Sequence, residues 1–177
     1  MILEDSLAID TDRLSHGTPD IVSGGQTGAD RAALDWARRS GVACGGWCPR
    51  GRNAEDGAIP PEYPLTETPS IRYIQRTEWN ARDSDATVIL TIGAELTHGS
   101  LATAIRAAKQ GKPWLHLSRE ICGGDAEHAG RLLRAFCGSH SAGVLNVAGP
   151  RASKEPDVPG WVTAVLDAAF VPSLGER

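Results

Sequence analysis

The sequence predicts a three-layer α/β fold, a mainly parallel central sheet with helices on both faces. Three observations lead to it. Short apolar runs alternate with helical patterns along most of the chain; the run "ATVILTI" is apolar at successive positions, as a strand covered on both faces must be; and glycine-rich turns stand where several runs end.

The elements follow in order. Residues 1–20 show no clear period and end in "HGTPD", so they read as an acidic N-terminal lead-in to one ligand-binding domain over residues 21–177. The run "DIVSGG" opens the sheet. In "ADRAALDWARRSG", Ala33, Leu34, Ala37 and Val42 fall near one side, Arg31, Asp35, Arg38 and Arg39 stay polar, and Gly41 stands where a helix stops. The apolar run "VACGGWCP" then leads into "GRNAEDGAIPPEYPLTETP", a long Gly- and Pro-rich stretch that is a mobile connection or a loop over a site. After it come the apolar "IRYI", a helix from Thr77 in "TEWNARDSD", the strand "ATVILTIG" and the helix "SLATAIRAAKQGK". The strand "PWLHLS", the helix "DAEHAGRLLRAFCGSH", the strand "GVLNVAG" and the helix "VPGWVTAVLDAAF" complete the order. No solenoid repeat or low-complexity segment interrupts it.

Composition narrows the class of function. With 177 residues, 41% hydrophobic and 23% charged, the chain suits a globular domain with a sizeable core. No apolar run nears the roughly 18 residues of a membrane helix, and the N-terminus lacks a secretory pattern, so a soluble, cytoplasmic protein without a membrane partner is expected. Glu4, Asp5, Asp10, Asp12 and Asp20 against Arg13 account for the whole formal charge of −4. The remainder is neutral and has no basic aromatic groove, which speaks against nucleic acid as partner. Four cysteines without an export signal do not form a disulfide framework. Cys44 and Cys48, spaced C-x-x-x-C, lack a second pair to complete a zinc site and read as buried thiols.

In a parallel α/β sheet, ligands bind beyond the carboxyl ends of the strands. After the first strand, Gly24, Gly25 and Gly28 allow a tight turn, and the following helix start, with Gln26, Thr27 and Asp30, suits an anion such as phosphate. Neither the dinucleotide fingerprint nor a Walker A loop is met. Thr27 and Asp30 could instead form a T-x-x-D capping box. After the second run stand Arg50 and Arg52, which suit an oxyanion better than a ribose diol. Along a helix from Thr77, Arg76, Asn80 and Asp83 would share one face, able to meet a polar heterocycle bearing an anion, or solvent. Thr97, Gly99 and Ser100 give a second hydroxyl-bearing helix start, with His98 beside them. Arg151 and Lys154 follow the last strand, in a turn with Gly149 and Ser153.

The segments "SGGQTGADRAALDWA", "GGWCPRGRNAEDG", "YPLTET", "RTEWNARDSD" and "LNVAGPRASK" resemble the molybdenum carrier proteins, relatives of the molybdenum-cofactor carrier of algae and cyanobacteria. The likeness runs from Ile21 to Trp161. It implies a Rossmann-like fold within the SLOG, circularly permuted YpsA-like superfamily, which also includes the lysine-decarboxylase-like nucleotide phosphoribohydrolases. It further implies a homo-oligomer, dimer or tetramer, that binds the molybdenum cofactor (molybdopterin), with the glycine turns and arginines on the cofactor phosphate. The G-G-T turn frequent in that family is His98-Gly99-Ser100 here. No nucleophile, base and orienting acid assemble in the sequence, so a binding protein rather than an enzyme is expected; that it carries a phosphorylated pterin-type cofactor or related oxyanion is what the resemblance implies. The alternatives are an enzyme cleaving the N-glycosidic bond of a nucleoside monophosphate, in which Asp30, Asp83 or Glu78 would stand in for the glutamate of the phosphoribohydrolase P-G-G-x-G-T signature that is absent here, and a nucleotide-sensing module.

Overall fold

The computed structural model describes residues 17–171; the acidic lead-in up to residue 16 lies outside the described residues. Five strands form the central sheet: β1 (Asp20–Val22), β2 (Cys44–Gly45), β7 (Ala86–Thr91), β8 (Trp114–Ser118) and β9 (Val144–Ala148). Their order is β2-β1-β9-β7-β8 and every pairing is parallel. Between β2 and β7 lie four two-residue strands, β3 (Trp47–Cys48), β4 (Asn53–Ala54), β5 (Gly57–Ala58) and β6 (Thr66–Glu67). β3 pairs with β6 in parallel, and β4 with β5 as an antiparallel hairpin.

The helices are α1 (Ala29–Arg39), α2 (Tyr73–Arg82), α3 (His98–Lys109), α4 (Ala126–Ser139) and α5 (Val158–Phe170). α1 and α4 each pack on α5 on one face of the sheet, while α2 and α3 pack together on the other. That division follows from handedness. The crossovers β1-α1-β2 and β8-α4-β9 run one way along the sheet and β7-α3-β8 runs the other, so right-handed connections put α3 opposite α1 and α4.

The strand β7 is buried at all six positions. Ala86, Val88 and Leu90 join Ile21, Leu145, Val147 and the apolar side of α5 in the main core. The indole N–H groups buried there are satisfied: Trp36 donates to Asp167 and Trp161 to the Leu117 carbonyl. A second, smaller core of Leu34, Cys48, Ile59, Tyr63 and Leu65 lies beneath the Gly- and Pro-rich stretch. That stretch is thereby a packed loop with its own apolar support.

Two expectations need correction. "VACGGWCP" is not one strand, because it divides at Gly46 into β2 and β3, which belong to different sheets. The helix after the loop starts at Tyr73 rather than Thr77, so Tyr73 and Ile74 of "IRYI" lie on its first turn. The four cysteines are free thiols, with Cys48 and Cys137 buried and Cys44 and Cys122 half-buried.

Leu145 stands fully buried at the centre of the sheet, between β1 and β7. Leu145→Ala should lower unfolding free energy by about 2–5 kcal/mol in urea titration, with the m-value unchanged.

Candidate functional site

Because all five strands are parallel, the turns after β1, β7 and β9 gather at one edge of the sheet. They enclose, with the start of α2, a cavity of about 450 Å³. Its base is set by Asp30, on the first turn of α1, and Arg76 of α2. The guanidinium donates to the Asp30 carboxylate at 2.9 Å, and Asp30 is 3% exposed. Arg76 reaches it by passing over Gly24, where an added Cβ would fall 1.8 Å from Arg76 Nη1. A side chain at that position would therefore exclude the pair.

Gln26 forms the adjoining wall and is 5% exposed. Its Oε1 accepts the Thr27 N–H at 3.0 Å and the Glu55 N–H at 2.9 Å. Two donors on Oε1 fix the amide orientation, so Nε2 is a buried donor beside the cavity, and it has no partner among the described residues. Arg76 Nε is a second such donor. Burial without an acceptor is costly, so both atoms call for one.

The opposite wall is the start of α3, with Thr97, His98, Gly99 and Ser100. No side chain caps this helix, and the residues of its first turn, which carry the partial positive charge of the helix start, line the cavity. His98, at φ 47°, is in the left-handed region that suits glycine. Arg151 and Lys154 close the rim. Tyr73 stands between two guanidinium groups, with Arg151 5.5 Å and Arg76 6.0 Å from its ring centre.

The cavity thus brings together Gln26, Asp30, Arg76, Thr97, Gly99, Ser100, Arg151 and Lys154 from the sequence-expected set. The others lie outside it. Gly28, at φ 83°, brings the β1 turn against the β9 turn, where an added Cβ would sit 2.4 Å from the Pro150 carbonyl. Gly25 packs on Leu65 and Ile59 of the second core. Arg50 is exposed away from the cavity. Arg52 donates to the carbonyls of Ile59, Pro60, Tyr63 and Leu65, which ties the long loop together. Asn80 exchanges two hydrogen bonds with the Trp47 backbone, and Asp83 accepts from the Trp47 indole and from Arg82. The T-x-x-D capping box does not form: Asp30 accepts from the Gln26 N–H at 3.3 Å, whereas the Thr27 hydroxyl engages Glu55 and accepts from the Ala152 N–H.

Sequence reasoning missed Tyr73, Ile74 and Thr77 as lining residues. Their signal was the i, i+3, i+4 spacing of Tyr73, Arg76 and Thr77, legible only once the helix begins at Tyr73.

A sequence model of the circularly permutated YpsA SLOG family matches residues 21–170. The chain belongs to that family. Among solved structures, the 1.45 Å crystal structure of the "putative molybdenum carrier protein" of Syntrophus aciditrophicus SB is similar, at 42% identity and a TM-score of 0.84, covering 88% of this chain and 96% of that one. No curated protein matches. Membership in this family supports a ligand-binding role in general. Among the described residues, no helix is long and apolar enough to cross a membrane.

Asp30 and Glu55 should show opposite pH signatures. Burial raises the Asp30 carboxyl above its ordinary 3.8, against the pull of Arg76 and the Gln26 N–H. Its contribution to stability is whole below 3.8 and fades as pH rises through the folded value. Hydrogen bonds from Ser153 and then Thr27 lower Glu55 from 4.5. Its contribution is whole above 4.5 and fades as pH falls through the folded value. In urea melts from about pH 3 to 7, the stability of wild type relative to Asp30→Asn should fall with rising pH, and relative to Glu55→Gln it should rise. His98→Gly should stabilise the unliganded fold by about 1 kcal/mol, as relief of left-handed strain exceeds the entropy cost of glycine.

Proposed function

We propose that this protein is a cytoplasmic, non-enzymatic carrier that binds a phosphorylated pterin-type cofactor, the molybdenum cofactor, in the cavity at the strand ends. The observation that carries the reading is Gln26: its amide is fixed with Nε2 as a buried donor lacking an acceptor, beside Arg76 Nε in the same state. A ligand rich in acceptors would complete both. The uncapped start of α3, with Ser100 and the cations Arg151 and Lys154, suits its phosphate. Tyr73, with the two guanidinium groups about its ring, adds an aromatic edge to the same lining. The name given to the Syntrophus aciditrophicus relative agrees with a molybdenum-related ligand. The same reading has the protein act as a homo-oligomer, dimer or tetramer, for which exposed Ile71, Ile74, Leu101 and Ile105 offer apolar surface.

Asp30 favours a second reading, cleavage of an N-glycosidic bond in a nucleoside monophosphate. It is the carboxyl group lining the cavity, and burial raises its pKa above the ordinary value against the pull of Arg76. Asp83 and Glu78, engaged with Trp47 and Arg106, are poorly disposed for that role.

Thermal melts with molybdenum cofactor, molybdate and AMP in parallel separate these readings. A ligand at 100 times its Kd should stabilise the fold by about 2.7 kcal/mol. The carrier reading expects a shift with the cofactor, abolished in the double variant Arg151→Gln/Lys154→Gln, which leaves the buried pair intact. A shift with AMP alone, with adenine released by wild type and not by Asp30→Asn, would replace it with the enzymatic reading.

A further inference from the structure

The turn of the β4–β5 hairpin holds a carboxylate against a set of donors that belongs to two other segments. Glu55 accepts from the Thr27 hydroxyl of the β1 turn, and from the Ser153 N–H at 3.1 Å and the Ser153 hydroxyl at 2.5 Å in the β9 turn. Arg151 Nε lies 4.0 Å away. Two hydroxyls, a backbone N–H and a guanidinium around one carboxylate are the donor set of an oxyanion site. The carboxyl's lowered pKa agrees with a site that favours negative charge.

This set adjoins the cavity through two residues that serve both. Arg151 lines the cavity and faces Glu55, while Gln26 lines it and holds the Glu55 N–H on Oε1. Beyond Glu55, the hairpin is fastened by the Arg31–Asp56 pair on its exposed side.

We propose that Thr27, Ser153 and Arg151 form a second oxyanion subsite, which Glu55 occupies in the unliganded protein, and that an oxyanion group of the ligand displaces Glu55 and releases the hairpin. The inference rests on the cavity being the ligand site. Glu55 is then an internal competitor: the ligand gains the subsite only when the carboxylate leaves, and the side chains of Glu55 and Asp56 are the ties of the hairpin tip to the β1 turn, the β9 turn and α1, while Ala54 stays packed on the second core. Opening and binding are coupled reciprocally.

The test uses the full chain with inorganic phosphate and AMP as probes, calorimetric titration for Kd, and hydrogen exchange of residues 53–58. Glu55→Gln should tighten phosphate binding by about fivefold or more, since coupling of this kind spans roughly 5–150-fold. Ser153→Ala loosens the same latch but removes a donor, so it should weaken binding. Asp56→Asn removes an equal charge and loosens the hairpin without vacating the subsite, so it should tighten phosphate binding less than Glu55→Gln does. In wild type, saturation with phosphate or AMP should speed exchange at 53–58. Equal affinities in wild type, Glu55→Gln and Ser153→Ala, or hairpin exchange that slows on binding, would overturn the subsite while leaving the cavity as a ligand site. Should neither these probes nor the molybdenum cofactor stabilise wild type, the cavity reading and the subsite fall together. If Glu55→Gln does not fold, Ser153→Ala and wild-type exchange decide alone.

Discussion

The buried pair of Asp30 and Arg76 is the contact on which the site depends. It joins α1 on one face of the sheet to α2 on the other, across the carboxyl end of β1. Asp30 is deeply buried, so removing Arg76 would leave a stranded charge, which costs about 3–5 kcal/mol in comparable settings. The pair also dictates its surroundings. Gly24 must lack a side chain for Arg76 to pass, and the Gln26 N–H turns inward onto the same carboxylate oxygen. Arg76 is thereby partly neutralised, and charge for an anion must come from elsewhere on the rim.

That consequence redistributes the roles expected of the two glycine-bearing helix starts. At α1 the donors are already engaged: the Gln26 N–H by Asp30, the Thr27 N–H by Gln26 and the Ala29 N–H by the Pro150 carbonyl. At α3, as at α1, no side chain caps the first turn; the Ser100 and Leu101 N–H groups bond the Thr97 carbonyl, and the hydroxyls of Thr97 and Ser100 line the cavity. The glycines of "SGGQTGAD" therefore serve close packing, against Arg76, the β9 turn and the second core. The α3 start instead presents Thr97, Gly99 and Ser100 to the cavity. His98, held at positive φ on that start, keeps strain where the ligand would bind.

Much of the architecture was legible because it follows from patterns local in sequence. The continuous apolar run of β7, the amphipathic α1 and α4, and the loops between them required no knowledge of distant residues. The start of α2 was misread because "IRYI" carries the composition of a strand, while Tyr73 and Ile74 are helical residues exposed at the cavity. Several arginines and polar residues expected at the ligand have partners that the sequence does not reveal, for a different reason. Arg52 and Asn80 find their partners in backbone groups, and every residue offers the same carbonyl and N–H, so no sequence pattern marks such a contact. Glu55 was invisible as a partner of Ser153 across 98 residues, because only the sheet order brings the β1 and β9 turns together.

The electrostatics of the rim then distinguish its cations. Arg76 is held by Asp30, and Arg151 is shared between the Tyr73 ring and Glu55. Among the described residues the Lys154 ammonium has no ion-pair partner, and it is exposed at the cavity mouth. An approaching anion would therefore be attracted first by a solvated, flexible lysine, where the interaction is weak and salt-screened. Stronger attraction requires Arg151 to exchange Glu55 for the ligand, and a guanidinium can make that exchange without losing charge. The rim cations thus differ in the partner each would have to give up, Arg76 being the most deeply committed and Lys154 the least.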